Sequence, residues 1–429
     1  MKSVLVSVFV LVVLFLSFSC NEGYDYSQAS LGLGLRDYSC TEAWIEVQIG
    51  SNDKTANIYI KKNGEIIQTV NVVQSSTLYY FDSLLPNTNY TFDAVTYEDG
   101  KEVKSNPVTF TTLDTTSHNF TWQTFEFGQH SSSTLYDVAI INENNIWAVG
   151  EIYMNDSLGN PDSKRYNAVI WDGTKWSVIR IPYYFQGQPF YNPIQSVFTF
   201  GPSDVWFCGN GVVHFDGSSF IPVPIPTNVW GPYQMNKIWG SSSNDMYIVG
   251  SAGKIAHYNG ISWTKIESGT TTDLLDIWGY NDSFSFSTSV YCAVSYVFQN
   301  GDRKILRIIN NKVDSLSWFS DKRINSIWTP NNYIFYTAGD GVFENKNNFW
   351  NQIVGLPPFY SDNIRGNGLN DIFVCGDFGL LSHFNGLAWV TYNEHYMQGI
   401  LFSVAIKKNT IVTVGLKGNK AIVIKGERN

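Results

Sequence analysis

Histidines are the side chains in this chain best suited to metal binding or acid–base chemistry, and there are six of them. His214, His257 and His383 occupy the same place in the repeated tetrapeptides HFDG, HYNG and HFNG. A residue that recurs once per repeat is spread through the structure, so its copies cannot meet at one metal ion. We therefore predict structural roles for these three. No HExxH motif, paired-ligand spacing or Ser/His/Asp arrangement can be built with the other histidines, which are His118, His130 and His395. The sequence predicts no catalytic residue, no metal and no cofactor.

The N-terminus carries the one cysteine whose context suggests a covalent modification. A basic residue, an apolar run and a small residue precede Cys20, which is the layout of a signal peptide. The segment SFSC at 17–20 is similar to a loose bacterial lipobox, in which the cysteine is lipidated after cleavage. The resemblance implies a signal peptide over 1–19, lipid attachment at Cys20 and a lipid-proximal tether over 20–28. Ordinary secretion with an unmodified Cys20 is the alternative.

The other cysteines show neither a disulfide framework nor the CxxC spacing of a metal site. Cys208 and Cys375 fall at equivalent places, WFCG and FVCG, where other repeats have Val or Ala. This equivalence predicts small buried apolar side chains. Cys40 lies in a different predicted domain.

Size and composition restrict the classes of function. The chain of 429 residues is long enough for two or three domains, and 44% hydrophobic residues suffice for a full core. The net charge is −9 and no basic patch is visible. Nucleic-acid binding is excluded on this basis, because it requires clustered Lys and Arg to neutralise phosphates.

Short strands recur along most of the chain and would position any functional side chain. The unit is clearest over 244–266, where three strand patterns are separated by a Gly-marked turn and an Asn-Gly turn, and MNKIWG supplies a preceding strand. Seven copies can be counted, the fourth of them degenerate. Their first strands are LYDVAI, IQSVFT, MNKIWG, LLDIWG, INSIWT, SDNIRG and LFSVAI. Four short antiparallel strands per repeat predict a β-propeller over 115–429.

The last repeat lacks a fourth strand, because the chain ends at AIVIKGERN. The segment Phe120–Phe125 has the Trp and the alternation of the fourth strands elsewhere. We predict that this N-terminal strand completes the final blade, which closes a seven-bladed ring and protects its sheet edges.

Residues 29–113 form a separate predicted domain. Strand patterns occur at 43–47, 57–61 and 108–112, and Asn63-Gly64 is a hairpin signal. The segment LLPNTNYTF (84–92) resembles the L-x-P-x-T-x-Y motif of fibronectin type III domains. The resemblance implies a β-sandwich with Trp44 on a buried strand, acting as a spacer or an interaction module. The expected fold class is therefore all-β, a fibronectin type III-like sandwich followed by a seven-bladed β-propeller.

The repeats resemble the propellers of photosystem-assembly-factor-like proteins and, more distantly, the Asp-box propellers of sialidases. WDGTKW (171–176) and NGISW (259–263) keep the Gly-to-Trp turn of the Asp box but lack its leading Ser. Such a relation implies the fold and does not carry a chemistry with it.

A sialidase-like site would require clustered arginines and a Tyr/Glu nucleophile pair. The arginines of the propeller are instead scattered over several repeats. Arg365 is notable because it replaces the Trp or Ala of the other first strands. It is expected either to face the central channel or to pair with a carboxylate of a neighbouring blade.

Aromatic and proline residues accumulate in the loops that join a fourth strand to the next first strand, whereas the loops at the other end are short and polar. Exposed aromatics in stiff loops suit stacking on sugar rings or packing against a protein. Mutual packing that stiffens the loops is the alternative. The predicted ligand-binding face comprises Tyr184, Tyr191, Trp230, Tyr233, Phe359, Tyr360 and Tyr396.

The sequence favours a non-catalytic recognition or scaffold lipoprotein of the cell envelope, anchored in the outer membrane or at the cell surface. Its partner would be a glycan or an envelope or extracellular protein, and the chain is expected to be a monomer. A glycan-active hydrolase or lyase, an assembly factor for an envelope complex, and a secreted form are the alternatives.

Overall fold

A computed structural model describes residues 31–50, 56–72, 75–98, 100–282, 287–296, 301–318, 320–346 and 349–429. The predicted signal peptide, Cys20 and the tether lie outside these residues. In the part of the chain that is described, no helix has the length and apolarity needed to cross a membrane.

The chain divides into two compact units. Among the described residues, the first consists of 31–36, 45–50, 56–72, 75–79, 90–98 and 100–110. The second consists of Asp37–Trp44, Tyr80–Asn89 and Thr111–Asn429. The domain limits 29–113 and 115–429 stay predictions.

The N-terminal strands form two sheets. One contains Leu31–Tyr38, Ala43–Ile49 and Ser76–Phe81, and the other contains Ala56–Lys62, Glu65–Val72, Asn89–Glu98, Lys101–Lys104 and Val108–Thr111. Asn63 and Gly64 form the tight turn between the first two strands of the larger sheet, with φ angles of 52° and 87°. Asn and Gly tolerate these positive φ values, which is why this pair specifies the hairpin. The likeness of this segment to fibronectin type III stays a prediction.

Trp44 is fully buried, as its strand pattern predicts. Within the second unit its ring stacks on Tyr333, with centroids 6.5 Å apart, and tilts against Tyr80 at 5.5 Å. The neighbours of this tryptophan therefore include a propeller residue.

Seven four-stranded sheets follow, one per repeat. Each is named here as a blade. The strands of a blade are antiparallel, and in blades 1 to 6 they follow one another in chain order. Blade 1 contains Thr134–Asn142, Asn145–Ile152, Tyr166–Trp171 and Trp176–Ile179; blade 2 contains Ser196–Gly201, Asp204–Cys208, Val212–Phe215 and Phe220–Pro222; blade 3 contains Met235–Ser242, Asp245–Gly250, Lys254–Tyr258 and Trp263–Glu267; blade 4 contains Leu274–Asp282, Ser287–Val294, Lys304–Ile309 and Lys312–Leu316. Blade 5 contains Ile324–Trp328, Ile334–Gly339, Gly341–Lys346 and Phe349–Gln352; blade 6 contains Ser361–Gly368, Asp371–Gly376, Leu381–Phe384 and Trp389–Thr391; blade 7 contains Gly399–Lys407, Thr410–Lys417, Lys420–Arg428 and Phe120–Phe127.

The blades form a closed ring. The first strands of consecutive blades are neighbours, and the first strand of blade 7 also lies beside that of blade 1. The segment Phe120–Phe127 pairs antiparallel with Lys420–Arg428 and supplies the fourth strand of blade 7. The predicted seven-bladed propeller and its closure by the N-terminal strand are confirmed. Blade 4 has all four strands although its sequence is degenerate.

A short hairpin and two 3₁₀ turns are the remaining elements of the described propeller. The hairpin, Tyr183–Phe185 with Gln188–Phe190, lies in the connection from blade 1 to blade 2. The 3₁₀ turns are Ser251–Gly253 and Asn393–His395.

Glycine ends the second strand of most blades because the backbone of the preceding connection passes very close. A Cβ on Gly250 or Gly376 would collide with the carbonyl oxygen of Gln234 or Tyr360, respectively. The carbonyl oxygen that lies against the glycine belongs to the residue just before the first strand. The pairing register of the first strand shifts directly after this residue. Only a residue without a Cβ fits such an approach.

The sheets pack face to face through apolar side chains, as propeller blades require. Cys208 and Cys375 lie in this packing, fully buried and free, which confirms the prediction of small apolar residues. Burial raises the pKa of both thiols.

Candidate functional site

One polar side chain per blade forms a ring inside the central channel. It is the third residue of each first-strand segment quoted above (LYDVAI, IQSVFT and their equivalents), and it is followed by an apolar residue in every blade. The ring residues are Asp137, Ser196, Lys237, Asp276, Ser326, Asn363 and Ser403. All except Lys237 are buried. Buried polar groups require hydrogen-bond partners, and here the neighbouring blades provide them.

Asp137 of blade 1 links four blades. Its Oδ1 accepts hydrogen bonds from Lys237 Nζ (2.7 Å) and Ser403 Oγ (2.8 Å). Its Oδ2 accepts from Ser196 Oγ (2.6 Å) and from the backbone N–H of Val197 (3.0 Å). This carboxylate is therefore fully satisfied although only 2% of the residue is exposed.

Asp276 of blade 4 repeats the arrangement with Arg365 of blade 6. Arg365 Nη2 donates to Asp276 Oδ1 (2.7 Å) and Nη1 donates to Oδ2 (2.9 Å). Ser326 Oγ donates to the same Oδ2 at 2.6 Å. Burial alone would raise the pKa of Asp276, but the charge and hydrogen bonds of Arg365 outweigh it, so the pKa is lowered. Arg365 thus lines the channel and is ion-paired, and its carboxylate partner lies two blades away.

The channel widens into a cavity beside this ring. Its wall is formed mainly by the fifth residues of the same first-strand segments. These residues differ sharply in size: Ala139, Phe198, Trp239, Trp278, Trp328, Arg365 and Ala405. The cavity has a volume of about 180 Å³, and six of these seven residues line it. The exception is Trp328, which packs against Gly366. The lining is therefore small on blades 7 and 1 and aromatic on blades 2 to 4.

The loop face is defined here as the end of the propeller that carries the loops from second to third strands and from fourth strands to the next first strands. Hydrogen bonds join the two kinds of loop: the N–H of Ser251 donates to Gln234 O (3.0 Å) and that of Asp377 donates to Tyr360 O (2.9 Å). The opposite end, with the turns from first to second and third to fourth strands, is called the turn face.

The residues predicted for the ligand-binding face differ in exposure. Tyr184, Tyr233 and Tyr396 are exposed at 49%, 41% and 42%. Tyr191, Phe359 and Tyr360 are half-buried. Trp230 is only 3% exposed, and its Nε1 donates to the carbonyl oxygen of Tyr233 at 2.7 Å. Trp230 is therefore a buried residue that positions the loop containing Tyr233. It does not belong to the exposed surface of the predicted face.

An exposed aromatic cluster spans the loops of blades 6 and 7. The ring of Phe359 lies 5.1 Å from that of Phe378 and 5.7 Å from that of Tyr396. Phe378 is 56% exposed and has a φ of 57°, which is unusual for a bulky residue. The backbone N–H of Met397 donates to Phe378 O (3.0 Å) and joins the two loops. Phe378 was missed in the sequence because it stands in the turn GDFGL, which resembles an ordinary glycine turn.

Carboxylates lie beside the aromatic cluster. Arg323 pairs with Asp340 at 2.6 Å, and its guanidinium carbon lies 4.7 Å from the centre of the Tyr360 ring. Burial and then the nearby Asp377 raise the pKa of Asp362 well above its ordinary value. Burial likewise raises the pKa of Asp377, although Arg323 opposes the shift. Asp362 Oδ2 is buried without a hydrogen-bond partner.

A second group on the loop face combines tyrosines with cations. The guanidinium carbon of Arg180 lies 3.7 Å from the centre of the Tyr166 ring and 5.8 Å from that of Tyr191. Lys254 Nζ lies 4.6 Å from the centre of the Tyr233 ring. These contacts hold the tyrosines of blades 1 to 3 in place, at a typical strength of about 0.5–1 kcal/mol for exposed pairs.

The three repeated histidines each pair with an aspartate of their own blade. The Nε2 atoms of His214, His257 and His383 lie 2.9, 2.7 and 3.0 Å from aspartate Oδ1 atoms, and the respective partners are Asp204, Asp245 and Asp371. Each imidazole also stacks on the aromatic ring of the adjacent second strand. In the described residues no three His, Cys, Asp or Glu side chains are grouped as metal ligands.

Comparisons with known proteins give a fold. No protein-family model and no curated protein sequence matches the chain. A structure of YCF48 bound to D1 peptide is similar with a TM-score of 0.54 and 12% identity, over 73% of this chain and 97% of that one. The Pan2 WD40 domain of Neurospora crassa gives a TM-score of 0.44 and 10% identity, over 71% of this chain and 98% of that one. Sqt1 of Saccharomyces cerevisiae gives a TM-score of 0.43 and 10% identity, over 70% of this chain and 97% of that one. At 12% identity the likeness to YCF48 shows the propeller fold alone.

Proposed function

We propose that this chain is a non-catalytic recognition or scaffold module of the cell envelope, and that its loop face binds a protein segment. The observation that carries the proposal is the aromatic cluster of Phe359, Phe378 and Tyr396, in which Phe378 is 56% exposed. Exposed aromatic side chains held in defined loops are typical anchors of protein interfaces. The structure of YCF48, a protein with a similar fold, contains a bound peptide.

The charge beside the cluster favours a basic segment as the partner. Arg323 is paired with Asp340 and also lies near Asp377, so two carboxylates share the charge of one arginine. A Lys or Arg side chain placed there would restore the balance, while its apolar neighbours could pack on Phe378 and Tyr396.

A non-catalytic role is supported by the engagement of the titratable side chains. His214, His257 and His383 are bound to aspartates of their own blades, and Arg365 is bound to Asp276. These pairs lie within the propeller framework, where satisfied buried polar groups serve the fold.

A glycan is the second candidate ligand. The exposed Tyr184, Tyr233 and Tyr396 could stack on sugar rings and could hydrogen-bond through their hydroxyl groups. The two candidates use overlapping side chains but differ in their dependence on charge, because a neutral glycan gains nothing from the carboxylates of Asp340 and Asp377.

Binding can be tested with the full mature chain against a display library of random peptides and against a glycan array. The variant Tyr184→Ala/Tyr233→Ala/Tyr396→Ala removes three exposed rings and leaves the buried Trp230 intact. The control Ile261→Ala/Leu387→Ala removes apolar side chains that are 89% and 55% exposed in turns of the turn face.

We expect wild type and control to select the same basic and aromatic peptides, and the triple variant to bind them at least tenfold more weakly. Selection of glycans and no peptides would favour the second candidate. Equal binding by the folded triple variant would overturn the assignment of the loop face.

We also propose attachment to the envelope through a lipid on Cys20, on the resemblance of SFSC (17–20) to a lipobox. Incorporation of a labelled fatty acid into the wild type, and its loss in Cys20→Ala, is expected. Equal labelling of the two proteins would contradict lipidation at this residue.

A further inference from the structure

The central channel contains a cavity with one aromatic and one small side. Phe198, Trp239 and Trp278 of blades 2 to 4 line it together with Ala139 and Ala405 of blades 1 and 7, and its volume is about 180 Å³. A cavity of about 150 Å³ with apolar walls is large enough for one benzene ring. The cavity therefore has room for a single six-membered aromatic ring with a small substituent.

The aromatic wall is fixed before any ligand arrives. The Trp239 ring packs against Gly279, where an added Cβ would collide with it. Trp278 Nε1 donates to the carbonyl oxygen of Thr329 at 3.1 Å, and the guanidinium carbon of Arg365 lies 4.7 Å from the centre of the Trp278 ring. Rigid walls lower the entropy that binding costs.

Positive side chains stand at both ends of the cavity. Lys237 lines it at the polar ring and donates to one carboxylate oxygen, Asp137 Oδ1, which leaves ammonium N–H groups to donate. Lys407 lines it toward the turn face, because the first strand of blade 7 ends there. The positive charge of Lys237 is balanced by Asp137 and that of Arg365 by Asp276. Lys407 is therefore the remaining positive charge among the lining residues.

We propose that this cavity binds a small aromatic carboxylate, with the ring between the alanine pair and the tryptophan wall and the carboxylate at Lys407. Dispersion and stacking against Trp239 and Trp278 hold the ring. The ammonium group of Lys407 provides a charge-assisted hydrogen bond to the anion. This site is separate from the loop face, since it lies in the channel between the polar ring and the turn face.

Benzoate and phenylacetate are suitable probes, with benzyl alcohol as a neutral analogue. Saturation-transfer NMR on the full mature chain would detect binding, and titration calorimetry would measure it. We expect both carboxylates to bind with dissociation constants between about 10 µM and 1 mM, the range of ligands of this size, and benzyl alcohol to bind at least tenfold more weakly.

Ala405→Leu and Ala139→Leu each fill the cavity from its small side and are expected to abolish binding. Ala388→Leu adds the same atoms at an exposed turn and should leave binding unchanged. Lys407→Gln should weaken the carboxylates about tenfold without affecting benzyl alcohol, whereas Lys408→Gln, at the next residue and outside the lining, should change neither.

Absence of saturation transfer from both carboxylates in the wild type would overturn the proposal. Full binding by folded Ala405→Leu would also overturn it, because the ligand would then lie elsewhere. If only one of the two leucine variants folds, the folded one decides, since both fill the same cavity from adjacent blades. Equal loss of affinity in Lys407→Gln and Lys408→Gln would overturn the assignment of the carboxylate to Lys407.

Discussion

Arg365 and Asp276 face each other across the propeller channel and form a two-point ion pair, with Nη2–Oδ1 at 2.7 Å and Nη1–Oδ2 at 2.9 Å. The pair joins blade 6 to blade 4 without involving a ligand. Arg365 Nη1 also donates to Ser326 Oγ of the intervening blade 5 at 3.0 Å. One arginine therefore ties three consecutive blades together at the level of the polar ring.

Arg365→Met is expected to destabilise the fold strongly, because it leaves Asp276 charged, buried and without its cation. Loss of one partner of a buried pair costs about 3–5 kcal/mol. The matched control is Arg307→Met, which breaks a two-point pair with Asp314 whose side chains are 36% and 54% exposed and should cost about 1 kcal/mol or less. Urea unfolding would measure both. A similar loss of stability in the two variants would show that burial does not set the strength of the Arg365 pair.

Gly376→Ala is expected to destabilise blade 6 by about 1–3 kcal/mol, the usual cost of forcing atoms into a packed site. The new Cβ would collide with the carbonyl oxygen of Tyr360 and lie 2.9 Å from Ser361 Cα. Gly34→Ala is the control, because no atom lies within 4 Å of the corresponding Cβ. The thermal midpoint should fall only for Gly376→Ala. An equal fall in both would mean that close backbone approach is not why the second strand ends in glycine.

The blade count, the turns and the ring closure could be predicted because they depend on local signals, namely strand alternation, Asn-Gly turns and the missing fourth strand. The polar ring could not, because Asp137, Lys237 and Ser403 share no residue type and become complementary only when the ring is closed. The cavity likewise requires Ala405 of blade 7 to lie beside Ala139 of blade 1. The exposure of the loop aromatics could not be predicted either. An aromatic residue in a loop, such as Trp230, can point outward or inward, and only its packing decides which.

Asp362→Asn is expected to stabilise the protein at neutral and alkaline pH. Burial raises the pKa of Asp362, so the folded state holds its proton more tightly than the unfolded state does. The free energy of unfolding then falls as the pH rises from the ordinary value of about 3.9 toward the raised one. Asparagine is uncharged throughout and removes this loss.

The thermal midpoint of Asp362→Asn should be about 1–2 °C higher at pH 8, the response to 1 kcal/mol when the unfolding entropy is about 2.1 cal/mol/K per residue in a chain of this length, and unchanged at pH 4. Asp82→Asn, at an exposed position, serves as the control and should show no such difference. A midpoint shift that is the same at pH 4 and pH 8 would show that ionisation of Asp362 is not its cause.

His118→Gln is expected to make the free energy of unfolding less sensitive to acid, because His118 lies beside the strand that closes the propeller. His118 Nδ1 lies 2.8 Å from His383 Nδ1, and His383 Nε2 lies 3.0 Å from Asp371 Oδ1, which Arg428 also contacts. Burial, and then the nearby His383 and Arg428, lower the pKa of His118 to about 4. Burial also lowers the pKa of His383.

A histidine with a lowered pKa stays neutral in the folded state while the unfolded chain takes up a proton near pH 6.5. Its contribution to stability is therefore complete above pH 6.5 and is lost as the pH falls toward about 4. Between pH 6 and 4.5 the slope of unfolding free energy against pH should decrease in His118→Gln by at most about 1.4 kcal/mol per pH unit, the value for one proton. Urea midpoints at intervals of half a pH unit would measure the slope, with His130→Gln as a control outside the closure. An unchanged slope in His118→Gln, or an equal decrease in the control, would contradict a role for the His118–His383 pair in acid unfolding.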